Sequence, residues 1–178
     1  MAYLIRKISY SKWKPCQKKS LGDYDADAIT ACTRTTNNTL SVWRTNNPDL
    51  SSEENRELIT AIASIQQTLD VMDLVVLKEE AFLESGFAVV ETLGDSKIAS
   101  MNVNHRDLSD VNYNKLGIVS QNIVHAVGDK STYKRFSIAE VQGLFLGYYG
   151  DKFFDSPISD RVKEKIKQRL ENAIKSDS

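Results

Sequence analysis

The chain has 178 residues, of which 41% are hydrophobic and 26% are charged, and its formal net charge is -1. This composition excludes global disorder and supplies enough apolar side chains for the core of one ordinary domain. A near-neutral total gives no general reason to bind nucleic acid or an anionic membrane. Two cysteines do not make a disulfide framework, and no apolar run reaches transmembrane length. We therefore predict a cytoplasmic protein without membrane association.

Four short runs in the first hundred residues are typical of β-strands. Each is rich in β-branched or aromatic side chains and is bounded by turn-forming residues, and they lie at residues 3–8, 39–44, 71–77 and 87–91. The run at residues 74–77 is continuously apolar, which predicts a central strand covered on both faces. Ser51 and Glu54 match a capping box, and apolar residues then recur at spacings of three and four up to residue 69. That stripe predicts a helix packed on the sheet.

The chain after residue 100 has a helical texture. Asp107 or Ser109 is predicted to cap a helix that runs to about residue 127. Ser137 and Glu140 form a second capping box, which predicts a helix from residue 138. A third helix is predicted from an apolar stripe that begins at residue 158.

The predicted fold class is α+β. We expect a small mixed sheet of about four strands with a packed helix, followed by a three-helix C-terminal annex. A further short helix is predicted at residues 79–84, ending at Gly86 in the left-handed conformation. The predicted division is an α+β layer at residues 1–100 and a helical annex at residues 101–178, in one compact unit.

Residues 105–112 match the kinase catalytic-loop pattern H-R-D-L-x-x-x-N. In kinases the Asp of that loop accepts the substrate hydroxyl proton, and the Asn binds magnesium. This sequence has neither the glycine-rich loop before the motif nor D-F-G after it, and it contains no G-x-S-x-G elbow. We therefore interpret Asp107 as a helix cap, and His105 and Arg106 as connecting residues able to contact a partner.

Charge is unevenly distributed along the chain. Residues 1–22 contain six basic and no acidic side chains, whereas residues 49–84 contain nine acidic and two basic ones. Segregated charge steers association more than it stabilises a fold. The candidate partner-binding residues are the six basic residues of the first stretch, one tryptophan among them and two residues of the kinase-like motif: Arg6, Lys7, Lys12, Trp13, Lys14, Lys18, Lys19, His105 and Arg106.

We predict a non-catalytic protein–protein interaction or accessory subunit of a multi-protein intracellular system, of bacterial origin. Its partner is predicted to be another protein or further copies of the chain, with no cofactor and no metal. Two alternatives remain open. Asp23, Asp25 and Asp27 with His105 are candidates for a small metal-dependent hydrolase or nuclease, although the stretch lacks the Gly and Glu of a calcium loop. Residues 6–19, basic and interleaved with aromatics, are a candidate nucleic-acid site.

Overall fold

Six strands form one sheet in the computed structural model, which describes residues 1–151 and 158–176. Every pairing between neighbouring strands is antiparallel, and the order across the sheet is β4-β5-β2-β1-β3-β6. The strands are β1 Tyr3–Ile8, β2 Leu40–Thr45, β3 Met72–Lys78, β4 Ala88–Glu91, β5 His105–Ser109 and β6 Tyr133–Phe136.

Helices lie on both sides of this sheet. The α-helices are α1 Tyr10–Trp13, α2 Ala26–Cys32, α3 Glu53–Ser64, α4 Glu79–Glu84, α5 Tyr113–Gly128, α6 Ile138–Asp151 and α7 Asp160–Ser176. Short 3₁₀ helices occur at Lys14–Lys18, Leu21–Asp23 and Ala99–Asn104. None of the described helices is long and apolar enough to cross a membrane.

Alternation along the strands sends neighbouring side chains into two separate cores. Leu4 and Val42 pack with α1, α2, α4 and α5 on one side, which we call the α5 face. Ile5 and Trp43 pack with α3, α6 and α7 on the other, which we call the α3 face. Because helices cover both faces, the central strands are apolar throughout, and β3 is buried from Met72 to Leu77.

The α+β class is confirmed, but the sheet has six strands rather than about four. The three helices predicted after residue 100 are present as α5, α6 and α7, yet that region also supplies β5 and β6. The sheet thus takes strands from both sides of the predicted boundary at residue 100. Both extra strands are short and polar, and β6 is an edge strand, where charged side chains are common. The composition of β5 and β6 therefore lacks the apolar pattern from which the other strands were predicted.

The strand signals in the first hundred residues were accurate, whereas the helix predicted to run up to residue 69 ends at Ser64. The four predicted runs are β1 to β4, each displaced by one residue at most at its start. Gly86 follows α4 with a φ of 75°, as predicted. The N-cap of α3 is Ser52 rather than Ser51. The second capping box is confirmed, since the Glu140 N–H donates to Ser137 Oγ at 3.2 Å and the Ser137 N–H donates to Glu140 Oε2 at 2.8 Å.

The prediction that Asp107 or Ser109 caps the following helix is wrong. Asp107 lies within β5, where it pairs with Ser41 of β2, and Ser109 ends the strand. The chain then turns before α5 starts, and the N-cap is Asn112, whose Oδ1 accepts a hydrogen bond from the Lys115 N–H at 3.1 Å. The kinase-like motif is therefore a strand, a turn and a helix cap in succession.

We predict that Asn112→Ala lowers the free energy of unfolding by about 1 kcal/mol, because an N–H at the start of α5 loses its acceptor. Asp107→Ala, the matched control, should change it by about 0.5 kcal/mol or less, as expected for a partly exposed side chain outside a cap. Urea unfolding monitored by circular dichroism would measure both. A larger loss in the Asp107 variant would contradict the assignment of the cap.

Asp73 is a buried acid on the α5 face of β3. Arg135 of β6 holds both carboxylate oxygens, with Nε 2.8 Å from Oδ1 and Nη2 3.0 Å from Oδ2. The Tyr133 hydroxyl donates to Oδ1 at 2.7 Å, and the Tyr10 N–H donates to Oδ2 at 3.3 Å. Burial alone would raise the pKa of Asp73, but the hydrogen bonds from Arg135 and Tyr133 outweigh it and the pKa is lowered.

This carboxylate fixes the start of α1 to the sheet. Tyr10 is the first residue of α1, and its ring stacks on that of Tyr133 with centroids 4.8 Å apart. The Arg135 guanidinium lies 5.2 Å from the centre of the Tyr10 ring. Since Asp73, Tyr133 and Arg135 belong to paired strands, the helical segment that begins at Tyr10 has a rigid attachment.

We predict that Asp73→Asn lowers the free energy of unfolding at pH 7 by about 2 kcal/mol, because charge-assisted hydrogen bonds are lost. A carboxyl whose pKa is lowered by folding stabilises the fold above its unfolded pKa of 3.8, and that stabilisation is lost as the pH falls through the folded value. The difference between wild type and variant should therefore shrink below pH 4. The exposed Asp70→Asn is the control. Equal effects of the two substitutions would contradict this account.

Candidate functional site

The basic stretch near the N-terminus folds into a compact helical segment, residues 10–23, on the α5 face. It consists of α1 and the 3₁₀ helices Lys14–Lys18 and Leu21–Asp23. Trp13 and Cys16 anchor it, because both side chains are fully buried in the core of that face. Sequence periodicity gave no sign of this segment, since each of its helices is shorter than two turns.

Residues 10–23 lie along helix α5. A Cβ placed on Gly128 would come 3.5 Å from the Gln17 amide nitrogen, and one on Gly117 would come 3.3 Å from the Leu21 side chain. These contacts are eleven residues apart on α5, which corresponds to about 16 Å along its axis. The segment is therefore supported over most of the length of the helix.

The lysines of this segment point away from that support. Lys12, Lys14 and Lys18 are exposed, and in the part of the chain that the structure describes no carboxylate pairs with any of them. Lys19 differs, because its Nζ lies 2.6 Å from Oδ1 of Asp25. We call Lys12, Lys14 and Lys18 the basic face.

The helix next to the basic face adds no opposing charge. Helix α5 contains no acidic residue, and its exposed positions include Gln121 and His125. The first acid after it, Asp129, accepts hydrogen bonds from the Ser131 N–H and hydroxyl. The fold thus places residues 10–22 beside helix α5, and neither stretch contains an acidic residue, although about ninety residues separate them in sequence.

Three of the candidate partner-binding residues are wholly or partly buried, and two of them form hydrogen bonds within the fold. Trp13 is fully buried and Arg106 is 9% exposed. Arg106 Nη2 lies 2.9 Å from Glu91 Oε1, and its Nη1 donates to the Val103 carbonyl at 2.7 Å. Arg6 is the third, and its guanidinium is bound within the fold. These side chains hold elements together.

The Arg6 guanidinium bridges main-chain carbonyls. Nη1 donates to the Ser41 carbonyl, and Nη2 donates to that of Cys32 at 2.8 Å. Its Nε is buried without a hydrogen-bond partner in the described residues. Burial lowers the pKa of Arg6, while Cys32 opposes that shift, and an arginine remains charged at neutral pH. Since the Cys32 carbonyl lies at the negative end of the α2 dipole, Arg6 ties this helix to the sheet.

The aromatic residues of the segment do not offer rings to nucleic-acid bases. Trp13 lies inside the core, and one face of the half-buried Tyr10 is covered by Tyr133. Proteins that bind single strands stack bases on exposed aromatic side chains. The hypothesis that residues 6–19 bind nucleic acid through lysines and stacking rings therefore lacks the exposed rings on this surface.

The acidic region at residues 49–84 is divided between buried pairs and exposed carboxylates. Asp73 is held by Arg135, and Oε2 of the buried Glu79 lies 2.8 Å from Arg44 Nε. The exposed members are Asp49, Glu53, Glu54, Asp70, Glu80 and Glu84, of which Glu53 and Glu54 belong to α3 on the other face of the sheet. The exposed acids of this region therefore lie on both faces of the sheet, with Glu80 and Glu84 on α4 of the α5 face.

The structure does not bring His105 together with Asp23, Asp25 and Asp27. His105 pairs directly with Trp43, whose side chain belongs to the α3-face core. Asp25 precedes α2 and Asp27 lies in its first turn, and that helix packs on the α5 face. Among the residues described, no group of three or more His, Cys, Asp or Glu side chains is placed to hold a metal ion.

His105 instead forms a hydrogen-bonded group with two hydroxyls. Its Nε2 lies 2.6 Å from Ser41 Oγ, and its Nδ1 lies 2.7 Å from Thr92 Oγ1. The ring meets the edge of Trp43 with centroids 5.1 Å apart. Burial lowers the pKa of His105, and the charges of Asp107 and Asp95 partly oppose that shift. Nothing in the sequence indicated that Ser41 and Thr92 would meet His105, because β2, the loop after β4 and β5 each supply one of the three residues.

Lys7 is the remaining candidate, and it lies on the α3 face of β1. Burial lowers its pKa, while the charges of Asp70 and Asp73 oppose the shift. The candidates thus occupy two regions, with Lys12, Lys14 and Lys18 on one side of the sheet and Lys7 and His105 on the other.

Comparison with known proteins gives no assignment. The chain matches no protein-family model, and no curated protein and no solved structure is significantly similar to it.

Proposed function

We propose that this protein is an interaction subunit that binds an acidic segment of a partner protein through its basic face. The observation that supports the proposal most is the exposure of Lys12, Lys14 and Lys18 beside a helix without acidic residues. Three cations that have no ion-pair partner among the described residues lie on one rigid support, and they create a positive local field although the whole chain is nearly neutral. Such a field attracts and orients an anionic partner.

Rigidity distinguishes this surface from an ordinary solvated lysine-rich loop. The buried side chains of Trp13 and Cys16 anchor residues 10–23 to the core of the α5 face, and Asp73 accepts a hydrogen bond from the Tyr10 N–H at the start of this segment. The backbone that carries the lysines is therefore ordered before a partner arrives, which lowers the entropic cost of association.

The chemistry of the surface favours an acidic protein over a nucleic acid. The patch contains three lysines within seven residues, and the aromatic rings beside them are covered. Single-strand binding needs exposed rings, and a four-residue helix is too short to fill a DNA groove. A cluster of Asp and Glu on a partner needs only cations at matching positions. The acidic surface of a second copy would be one such partner.

We predict that Lys12→Glu, Lys14→Glu and Lys18→Glu together weaken binding of a fluorescein-labelled poly-L-glutamate peptide by at least about tenfold at low salt. Exposed charges contribute little to stability, so the circular dichroism spectrum and thermal midpoint should remain close to wild type. Wild-type affinity, measured by fluorescence anisotropy, should fall as salt rises because exposed charges are screened.

A variant with the same change of net charge provides the control. Arg161, Lys163 and Lys167 are exposed on α7, on the opposite face, and their reversal to Glu should leave peptide binding almost unchanged. Capture of proteins from a lysate of the source organism, repeated with all three forms, identifies the natural partner. Equal capture by wild type and the Lys12, Lys14 and Lys18 variant would refute the proposal. Tighter binding to duplex DNA than to the peptide would favour a nucleic acid instead.

A further inference from the structure

A cleft of about 200 Å³ opens on the α3 face beside the C-terminal end of α3. Its walls are mostly apolar and include Ile5, Trp43 and Ile62. The polar residues that line it are Arg6, Lys7, Ser41 and Gln66. Mostly apolar walls with a few polar side chains are typical of small-molecule sites.

Ser41 connects this cleft to His105. The Ser41 Oγ lies 2.6 Å from His105 Nε2, which is within range for direct proton transfer. Thr92 Oγ1, 2.7 Å from Nδ1, fixes the orientation of the ring on its other side. Hydrogen bonds thus connect the Ser41 hydroxyl, the His105 ring and the Thr92 hydroxyl in a row. A nucleophile, a base and a group that orients the base have this arrangement in enzymes that use a serine nucleophile.

The surroundings of His105 hold its ring in place. The loop after Thr92 lies so close to the sheet that a Cβ on Gly94 would come 2.6 Å from the Trp43 ring and 3.1 Å from the His105 Cβ. The charged groups around the ring are Asp95, Asp107 and Arg106. Because the pKa of His105 is below its ordinary value of 6.5, the ring is neutral at pH 7 and able to accept a proton.

We propose that Ser41 is a nucleophile activated by His105, and that the cleft accepts a small ester with a short apolar acyl chain. The Ser41 Oγ would attack the ester carbonyl carbon while its proton passes to His105 Nε2. The bond from that carbon to the alkoxy oxygen then breaks, and the departing alcohol takes the proton from His105. Water next attacks the acyl-serine, gives its proton to Nε2, and releases the acid as Ser41 regains its proton.

The size and lining of the cleft define the substrate class. Its volume equals that of about seven liquid water molecules, which is enough for an acyl chain of a few carbons. Ile5 and Ile62 favour an apolar chain, and the Lys7 ammonium at the same cleft favours an oxygen that becomes negative. This inference is independent of the proposed interaction through the basic face, and it departs from the non-catalytic prediction made from the sequence.

The test uses the whole chain with a fluorophosphonate probe and with p-nitrophenyl butyrate. We expect the probe to label wild-type protein at Ser41, located by mass spectrometry of peptides, and the ester to be hydrolysed. Ser41→Ala should lose both reactions, and His105→Gln should slow labelling by about a hundredfold. Ser109→Ala, which changes a serine outside the cleft, should react like wild type. Thr92→Val removes the group that orients the ring, and it should move the pH midpoint of labelling.

Labelling of the wild-type protein tests the proposal even if one of the variants does not fold. Labelling of wild-type protein should rise with pH and level off by neutral pH, as His105 loses its proton. Absence of labelling, or labelling at residues other than Ser41, would overturn the proposal. So would unchanged labelling of a folded His105→Gln variant.

Discussion

The carboxylate of Asp73 is buried between β3, β6 and the start of α1, and its charge is stable there because Arg135 and Tyr133 bind its oxygens. Oδ2 of Asp73 also accepts a hydrogen bond from the Tyr10 N–H. The segment that carries the basic face therefore begins at a fixed point on the sheet. Trp13 and Cys16 then bury the inner side of that segment. The outward direction of Lys12, Lys14 and Lys18 depends on this attachment more than on any local helical propensity, since α1 has only four residues.

The alternation of side chains along the strands separates the two proposed sites. Neighbours such as Arg6 and Lys7 belong to different layers: Arg6 binds the end of α2, and Lys7 lines the cleft on the α3 face. The same alternation places Val42 in one core between Ser41 and Trp43, which face the other side. Because the sheet lies between them, a partner bound to the basic face would leave the cleft and its Ser–His pair uncovered.

Sequence reasoning succeeded where a local pattern decides local structure. Apolar runs, a capping box and the glycine after α4 located β1 to β4 and the start of α6, because each of these depends on side chains within a few residues. It failed for β5, β6 and the cap of α5. The sequence of the kinase-like motif suggests the start of a helix. Asp107 nevertheless lies in a strand because it pairs with Ser41 of β2, which is sixty-six residues away in sequence. The Ser41, Thr92 and His105 group was hidden for the same reason. By contrast, the lysine-rich stretch is evident from the sequence. Only the fold shows that Trp13 is buried, that Arg6 is partly buried and bound to main-chain carbonyls, and that α5, which has no acidic residue, lies beside the lysines.

The central claim is that residues 10–23 and α5 form one preformed surface that recognises negative charge. Chemical-shift mapping of isotope-labelled protein during titration with poly-L-glutamate tests it most directly. The account predicts that the largest amide shift changes occur together at residues 12–18 and at the exposed positions of α5, including Gln121 and His125, while α7 and its lysines remain unchanged. Shift changes spread over every lysine-bearing surface, or concentrated on α7, would contradict it.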